Sequence, residues 1–225
     1  FFFVLSGFVI ALNYNHISTP SDLYQYLKKR FIRLYPLLFF SSSIFFVYLV
    51  FARTVMVKFF PEFMDNPSSE YYQYIIPFFD VLLMTNSTKI FGTSMLINGP
   101  SWSISSEMIS YAVFGVLFVF LNKKFRNLMF GIIIVFSCII LYFQGNFFSG
   151  EDYGFVRGLV GFFSGYFTWV LSKKQDKLSN LFEFLFPILI ITLFYFLYLT
   201  SSGTSKIGLP ISIILTPLVF SCIIL

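Results

Sequence analysis

The sequence predicts an all-α fold, a polytopic bundle of transmembrane helices, and three observations carry that prediction. Apolar residues make up 57% of the chain and charged residues only 11%, less than half of the roughly 25% that a soluble domain carries. Mean hydropathy is +0.82, so lipid must be the solvent for much of the surface. The apolar residues also come in long runs, at 1–14, 35–52, 71–85, 102–121, 128–143, 155–171, 181–200 and 208–225. None alternates with the dyad period of a barrel strand. Backbone polar groups in lipid must be satisfied within the segment, so helices follow.

Basic residues orient these helices. Lys28, Lys29, Arg30 and Arg33 form one cluster, Lys123, Lys124 and Arg126 a second, and Lys173, Lys174 and Lys177 a third. The positive-inside rule places the loops 22–34, 122–127 and 172–180 in the cytoplasm. Segments 53–70, 144–154 and 201–207 then face outward, with Glu62, Asp65, Glu70, Glu151 and Asp152 among them. Between Arg33 and Lys123 the chain must cross an even number of times, and runs 35–52 and 102–121 supply both crossings. Run 71–85 is short and holds Pro77 and Asp80, so it is expected as a re-entrant or interfacial segment. The expectation is about seven spans plus that segment. Phe1 and Leu225 both fall inside apolar runs. Residues 1–225 are therefore expected to be one transmembrane domain, truncated at both ends, with its first helix and C-terminal helices missing. The net charge of +5 reads as this orientation signal rather than as a nucleic-acid surface.

Taken in order, the first run contains Ser6-Gly7, small residues that permit close helix contact. His16 is the one histidine. It sits at the cytoplasmic end of that run, where an exposed interfacial side chain is a plainer reading than a catalytic base. In Lys28-Lys-Arg-Phe-Ile-Arg-Leu-Tyr-Pro36, Arg30 and Arg33 share a helical face at the cytoplasmic boundary. Two guanidiniums there could clamp a phosphate. On charge alone, membrane anchoring and anionic headgroups account for them as well. Pro36 would kink or begin the helix of run 35–52.

The run at 102–121 is preceded by a chain break at Gly99-Pro100, and Ser101 is placed to cap the helix. Trp102 suits an interface. Ser103, Glu107, Ser110 and Tyr111 follow at i, i+4, i+7 and i+8 and share one face. A carboxylate near the outer end of a transmembrane helix is costly in lipid and should face a polar cavity or a partner. Among hydroxyls it suits orienting an acceptor alcohol or acting as a base. The alternative is a structural ion pair with a cation such as Arg157. The run at 155–171 holds Arg157 and a G-x-x-x-G pair, Gly161 and Gly165, suited to tight packing. Arg157 could neutralise Glu107 or hold an anionic acceptor, and simple snorkelling serves equally. Cys138 and Cys222 lie in apolar runs and read as packing residues, without metal-ligand spacing. There is no Ser-His-Asp set, zinc spacing, Walker loop or dinucleotide fingerprint.

Three pieces in order, Phe-Phe-Val-Leu-Ser-Gly-Phe at 2–8, Lys-Arg-Phe-Ile-Arg-Leu-Tyr-Pro at 29–36 and Gly-Pro-Ser-Trp-Ser-Ile-Ser-Ser-Glu at 99–107, resemble the acyltransferase 3 family. The resemblance spans nearly the whole chain, including 157–165. It implies a multi-span O-acyltransferase of the bacterial inner membrane. Such an enzyme moves an acyl group, most often acetyl, from cytoplasmic acyl-CoA to a hydroxyl of an extracytoplasmic glycan or glycolipid, with no bound cofactor. Arg30 and Arg33 match paired arginines that help engage the acyl-CoA donor. Trp102, Ser103, Ser105 and Glu107 match a Trp-Ser-x-Ser-x-Glu element near the acceptor side. Glu107, Ser103 and Ser105 are thus the expected catalytic residues of this chain, with Trp102, Tyr111 and Arg157 acceptor-side or structural. The family's key histidine, with an arginine upstream, lies in the helix before the Phe-Phe-x-x-Ser-Gly-Phe segment. Both positions fall before Phe1, so His16 receives no catalytic role and the fragment as given is expected to be inactive. Two other classes fit a polar site inside a bundle. One is a secondary transporter or flippase, though no internal repeat supports it. The other is a non-catalytic sensor of the same fold.

Overall fold

A computed structural model describes residues 1–60, 72–88, 90, 97–144, 153–173, 187–188, 190–193, 195 and 208–224. The helices are α1 (Phe2–Tyr14), α2 (Pro20–Phe59), α3 (Tyr72–Leu82), α4 (Ser101–Phe120), α5 (Lys123–Gln144), α6 (Gly154–Ser172) and α7 (Gly208–Ile224). There is no strand among the described residues. The protein is all-α, as its apolar runs require. Glu62, Asp65, Glu70, Glu151, Asp152, Lys174 and Lys177 lie outside the described residues.

Helices α2, α4, α5 and α6 are long and apolar enough to cross a membrane, while α1 and the Ile211–Ile224 part of α7 are shorter. Of the roughly seven spans expected from the ~20-residue rule, these four have crossing length among the described residues. Along α2, Leu37, Phe40, Ile44, Val47, Tyr48 and Phe51 are all exposed. In water such a strip would drive aggregation. Against acyl chains it costs nothing, which makes α2 a lipid-facing helix. The 11 residues of α3 rise only about 16 Å. That is half of a hydrocarbon core, in keeping with the expectation that run 71–85 does not cross.

Two expectations about loops are corrected. Segment 22–34 is not a loop, because α2 runs unbroken for 40 residues from Pro20. Its start is fixed by a capping box. The Asp22 amide donates to Thr19 Oγ1 at 3.1 Å, and the Thr19 amide donates back to Asp22 Oδ2 at 3.0 Å. After that start nothing before Pro36 interrupts the helix, so the first basic cluster rides on α2. Segment 122–127 is likewise mostly the first turn of α5, whose Phe125 amide donates to Asn122 Oδ1 at 3.1 Å. Positive charge marks a membrane side; it does not mark irregular backbone.

The chain divides into two compact units. One comprises 1–26, 112–149 and 156–225, the other 27–111 and 150–155. In the first, Phe114, Phe130, Phe162 and Phe163 are fully buried. Phe130 stacks on Phe163 at 4.4 Å, and Phe114 lies 4.2 Å from Phe118. The abundance of Phe is spent here, on a ring core. Helices α1 and α6 touch backbone to backbone. A Cβ added at Gly7 would lie 2.7 Å from the Phe162 carbonyl carbon, and one at Gly161 2.8 Å from Phe3 Cβ. The Gly161/Gly165 pair thus performs the packing expected of it. Helix α7 packs on α1 and α5. In the second unit, Leu38, Val81 and Met84 form a buried cluster with Leu34, Tyr35, Ile104 and Met108 against it. Phe46 stacks on Phe78 at 4.5 Å.

Candidate functional site

The second unit holds a polar core at the start of α4. Ser101, Ser105, Ser106, Glu107 and Ser110 are all buried, an unusual density of polar groups for an intramembrane helix. Each hydroxyl is accounted for. Ser105 Oγ donates to the Met84 carbonyl at 2.5 Å, and Ser87 Oγ lies 2.8 Å from Ser105 Oγ. Since the Ser105 proton is committed to Met84, Ser87 is the donor of that pair. Asn86 Nδ2 donates to Ser101 Oγ at 2.6 Å, and Ser101 Oγ donates to the Asn98 carbonyl at 2.6 Å. Ser101 therefore locks the entry to α4 from outside the helix rather than capping its amides. Ser106 Oγ donates to the Gly154 carbonyl at 3.4 Å. Asn98 Nδ2 reaches Ser41 and Ser42 on α2 at 3.2 and 3.1 Å.

The turn that receives these bonds ends α3. Met84 adopts a left-handed conformation with φ 56°. The Thr85 amide donates to Asp80 O at 3.1 Å and the Met84 amide to Val81 O at 3.0 Å. This is the Schellman pattern, which usually takes Gly at the left-handed position. Here a buried Met occupies it, at a cost of about 1–2 kcal/mol. Burial of the side chain beside Leu38 and Val81 offsets that cost. Asp80 is buried too, with Thr85 Oγ1 donating to its Oδ1 at 2.5 Å.

Within this frame sit the reactive groups. Glu107 is 4% exposed and Tyr111 3%, and the Tyr111 hydroxyl donates to Glu107 Oε1. A buried carboxylate without such partners would cost several kcal/mol. The Arg30 guanidinium carbon lies 5.6 Å from the centre of the Tyr111 ring, within cation–π range. Arg30, Tyr111 and Glu107 therefore form one connected set. From the sequence, Arg30 is expected at the cytoplasmic boundary and Glu107 near the outer end of its helix. The difference follows from α2 beginning at Pro20, which sets Arg30 well into a continuous helix rather than in the loop before it.

The other expected residues fall as follows. Arg33 is exposed on α2 while Arg30 is half-buried, so one guanidinium turns inward and the other outward. Ser103 Oγ donates to the Pro100 carbonyl at 2.8 Å, closing on its own helix start. Trp102 packs on Gly154, where an added Cβ would meet its ring at 3.0 Å. Arg157 lies half-buried in the first turn of α6, in the first unit. His16, in that same unit, is exposed and stacked on Tyr14. Asn86, Ser87, Ser41 and Ser42 were not foreseen. The polar run Thr85-Asn-Ser-Thr88 after an apolar helix was the available signal.

A family model described as an acyltransferase domain matches residues 1–225. No curated protein and no solved structure matches the chain.

Proposed function

The chain belongs to the acyltransferase 3 family, and from that premise we propose that this membrane acyltransferase moves an acyl group, most simply acetyl, from a cytoplasmic acyl-CoA to a hydroxyl of an extracytoplasmic glycan or glycolipid in a bacterial plasma membrane. The observation that carries this reading is the connected set Arg30–Tyr111–Glu107, its hydroxyl and carboxylate buried on α4 and its guanidinium half-buried on α2. It offers a fixed cation, a hydroxyl and a carboxylate in one low-dielectric place, where each acts more strongly than in water.

The roles follow from the chemistry. The acceptor oxygen attacks the thioester carbonyl, the new C–O bond forms, the C–S bond breaks, and the thiolate leaves with the acceptor's proton. Glu107 orients the acceptor hydroxyl and supports removal of its proton. Tyr111 holds the carboxylate in place, and Arg30 supplies the positive charge for donor phosphates or for the developing oxyanion, with Arg33 outside it as a second phosphate contact. Ser103 and Ser105 shape the start of α4, Ser105 by fixing the Met84 turn. Trp102 packs the acceptor end.

The test uses the intact protein in proteoliposomes with radiolabelled acetyl-CoA and envelope glycans. Wild type is expected to label the glycan, and Glu107→Gln to lose about two orders of magnitude, the usual scale of a positioned acid–base group. Normal labelling by Glu107→Gln would remove Glu107 from the reaction. Transport of an unmodified glycan without labelling would favour a flippase.

A further inference from the structure

The second and third basic clusters do more than orient the chain, because Arg126 in the first turn of α5 and Lys173 just past the end of α6 each rest on an aromatic side chain, and Tyr166 and Trp169 of α6 lie side by side between these contacts. Tyr166 Oη donates to Asn127 Oδ1 at 2.7 Å, and the Arg126 guanidinium reaches the Tyr166 hydroxyl as a donor. The guanidinium also lies 3.7 Å over the Phe118 ring. Trp169 lies 5.8 Å from Tyr166, ring centre to ring centre. The Lys173 ammonium is 4.0 Å from the Trp169 ring. All these residues belong to the first unit.

The donors at this corner are not used up. Arg126 Nε and Trp169 Nε1 are buried atoms with no hydrogen-bond partner, and Trp169 is only 8% exposed. A buried donor without an acceptor costs about 1–3 kcal/mol. Among the described residues both unspent groups here are donors and both formal charges are positive. No carboxylate among the described residues pairs with Arg126 or Lys173. An acceptor from outside the chain, carrying negative charge and several oxygens, would answer this excess of donors and positive charge. The N-terminus of α5 adds its positive dipole end nearby.

We propose that this corner, formed by the start of α5 and the end of α6, is a phosphate-binding site separate from the Glu107 centre. Its place at helix ends gives the phosphate two sources, the headgroup of an anionic phospholipid in the adjoining leaflet or a soluble phosphate. Neither source depends on the acyl-transfer reading.

The experiment uses the intact protein in nanodiscs of phosphatidylcholine, with phosphatidylglycerol or inorganic phosphate added. Lipid retention is read by native mass spectrometry and phosphate binding by the shift in thermal midpoint. Trp169→Phe removes the N–H and keeps an aromatic side chain in place. Lys173→Ala alters an exposed side chain and so leaves folding intact. Lys173→Ala is expected to weaken binding of the effective probe about fivefold, the effect of one basic contact near a membrane surface, Trp169→Phe by about the same factor through one lost hydrogen bond, and Arg126→Gln by more. Retention of phosphatidylglycerol that these variants lose assigns a headgroup. A stabilisation by inorganic phosphate that they lose assigns the soluble source. Variants indistinguishable from wild type toward both probes would overturn the site.

Discussion

Replacing Gly165 by alanine tests the close contact between α1 and α6. A methyl group there would sit 2.8 Å from the Val4 carbonyl carbon and 2.9 Å from the Phe8 nitrogen, with the Val4 carbonyl oxygen nearer still. Non-bonded heavy atoms rest at about 3.5 Å or more. Helix α1 must therefore retreat by about 0.7 Å from the first two atoms, and farther from the oxygen. All three are backbone atoms, so no side-chain rotation relieves the clash. Overpacking costs about 1–3 kcal/mol, and a backbone-on-backbone clash belongs at the upper end. About 3 kcal/mol corresponds to a loss of roughly two orders of magnitude in the folded-to-unfolded ratio. Gly131 is the internal control. It lies inside α5 with nothing within 4 Å of an added Cβ, so Gly131→Ala should gain up to about 1 kcal/mol through helix propensity. Denaturant titration of the intact protein in micelles reads both. The two substitutions are expected to move the midpoint in opposite directions. Equal midpoints would refute the contact between α1 and α6.

Other substitutions separate chemistry from scaffolding. Tyr111→Phe keeps the ring under Arg30 but removes the hydroxyl from buried Glu107; acyl transfer should fall about tenfold and stability by about 1–3 kcal/mol, and an unchanged rate would remove Tyr111 from the site. Ser105→Ala leaves the Met84 carbonyl and Ser87 hydroxyl without their partner, so unfolding should become easier by about 1–3 kcal/mol. Ser103→Ala, which loses only a bond to Pro100, should stay within about 0.5 kcal/mol in the same titration. Asp22 gives a pH dependence. The Thr19 hydroxyl, then the Ser18 and Thr19 amides, hold its carboxyl below the usual carboxylate value. A depressed folded value contributes stability above the ordinary carboxylate range and loses it as pH falls through the folded value. Protection of the amides at the start of α2, taken relative to the intrinsic exchange rate at each pH, should therefore fall on acidification below about pH 4, and Asp22→Asn should be weakly protected at every pH. Protection that ignores both acid and Asp22→Asn would argue against the capping box.

Much of the fold is written in hydropathy, because lipid imposes one rule on every span. The apolar runs fall on α1, α3, α4, α5, α6 and α7 with small errors at the ends, and Gly161 and Gly165 were legible as a packing pair. The extent of α2 was not. Lys28, Lys29, Arg30 and Arg33 look like a loop to a hydropathy window, yet they are good helix formers behind a Thr19–Asp22 box. The site is hidden for the same reason. A helix face can be read from spacing, so Glu107 and Tyr111 were seen together. The approach of Arg30 to Tyr111 depends on two helices crossing at one height, which no local pattern encodes. The Met84 turn was hidden for a related reason. A left-handed Met has no sequence signature, since tertiary burial rather than local preference holds it there.

Pro36 lies inside α2 and has no amide to donate to the Ile32 carbonyl, so the helix is least stiff at that turn. On its C-terminal side Ser41 and Ser42 are tied to Asn98. On its N-terminal side is Arg30, about 9 Å along the axis. A bend of only ~10° at the proline would carry the Arg30 backbone through an arc of about 1.6 Å. The reach of that guanidinium is thus set by a backbone angle as well as by side-chain rotamers. A stiffened α2, as in Pro36→Ala, would fix the distance between cation and carboxylate that the native chain leaves adjustable.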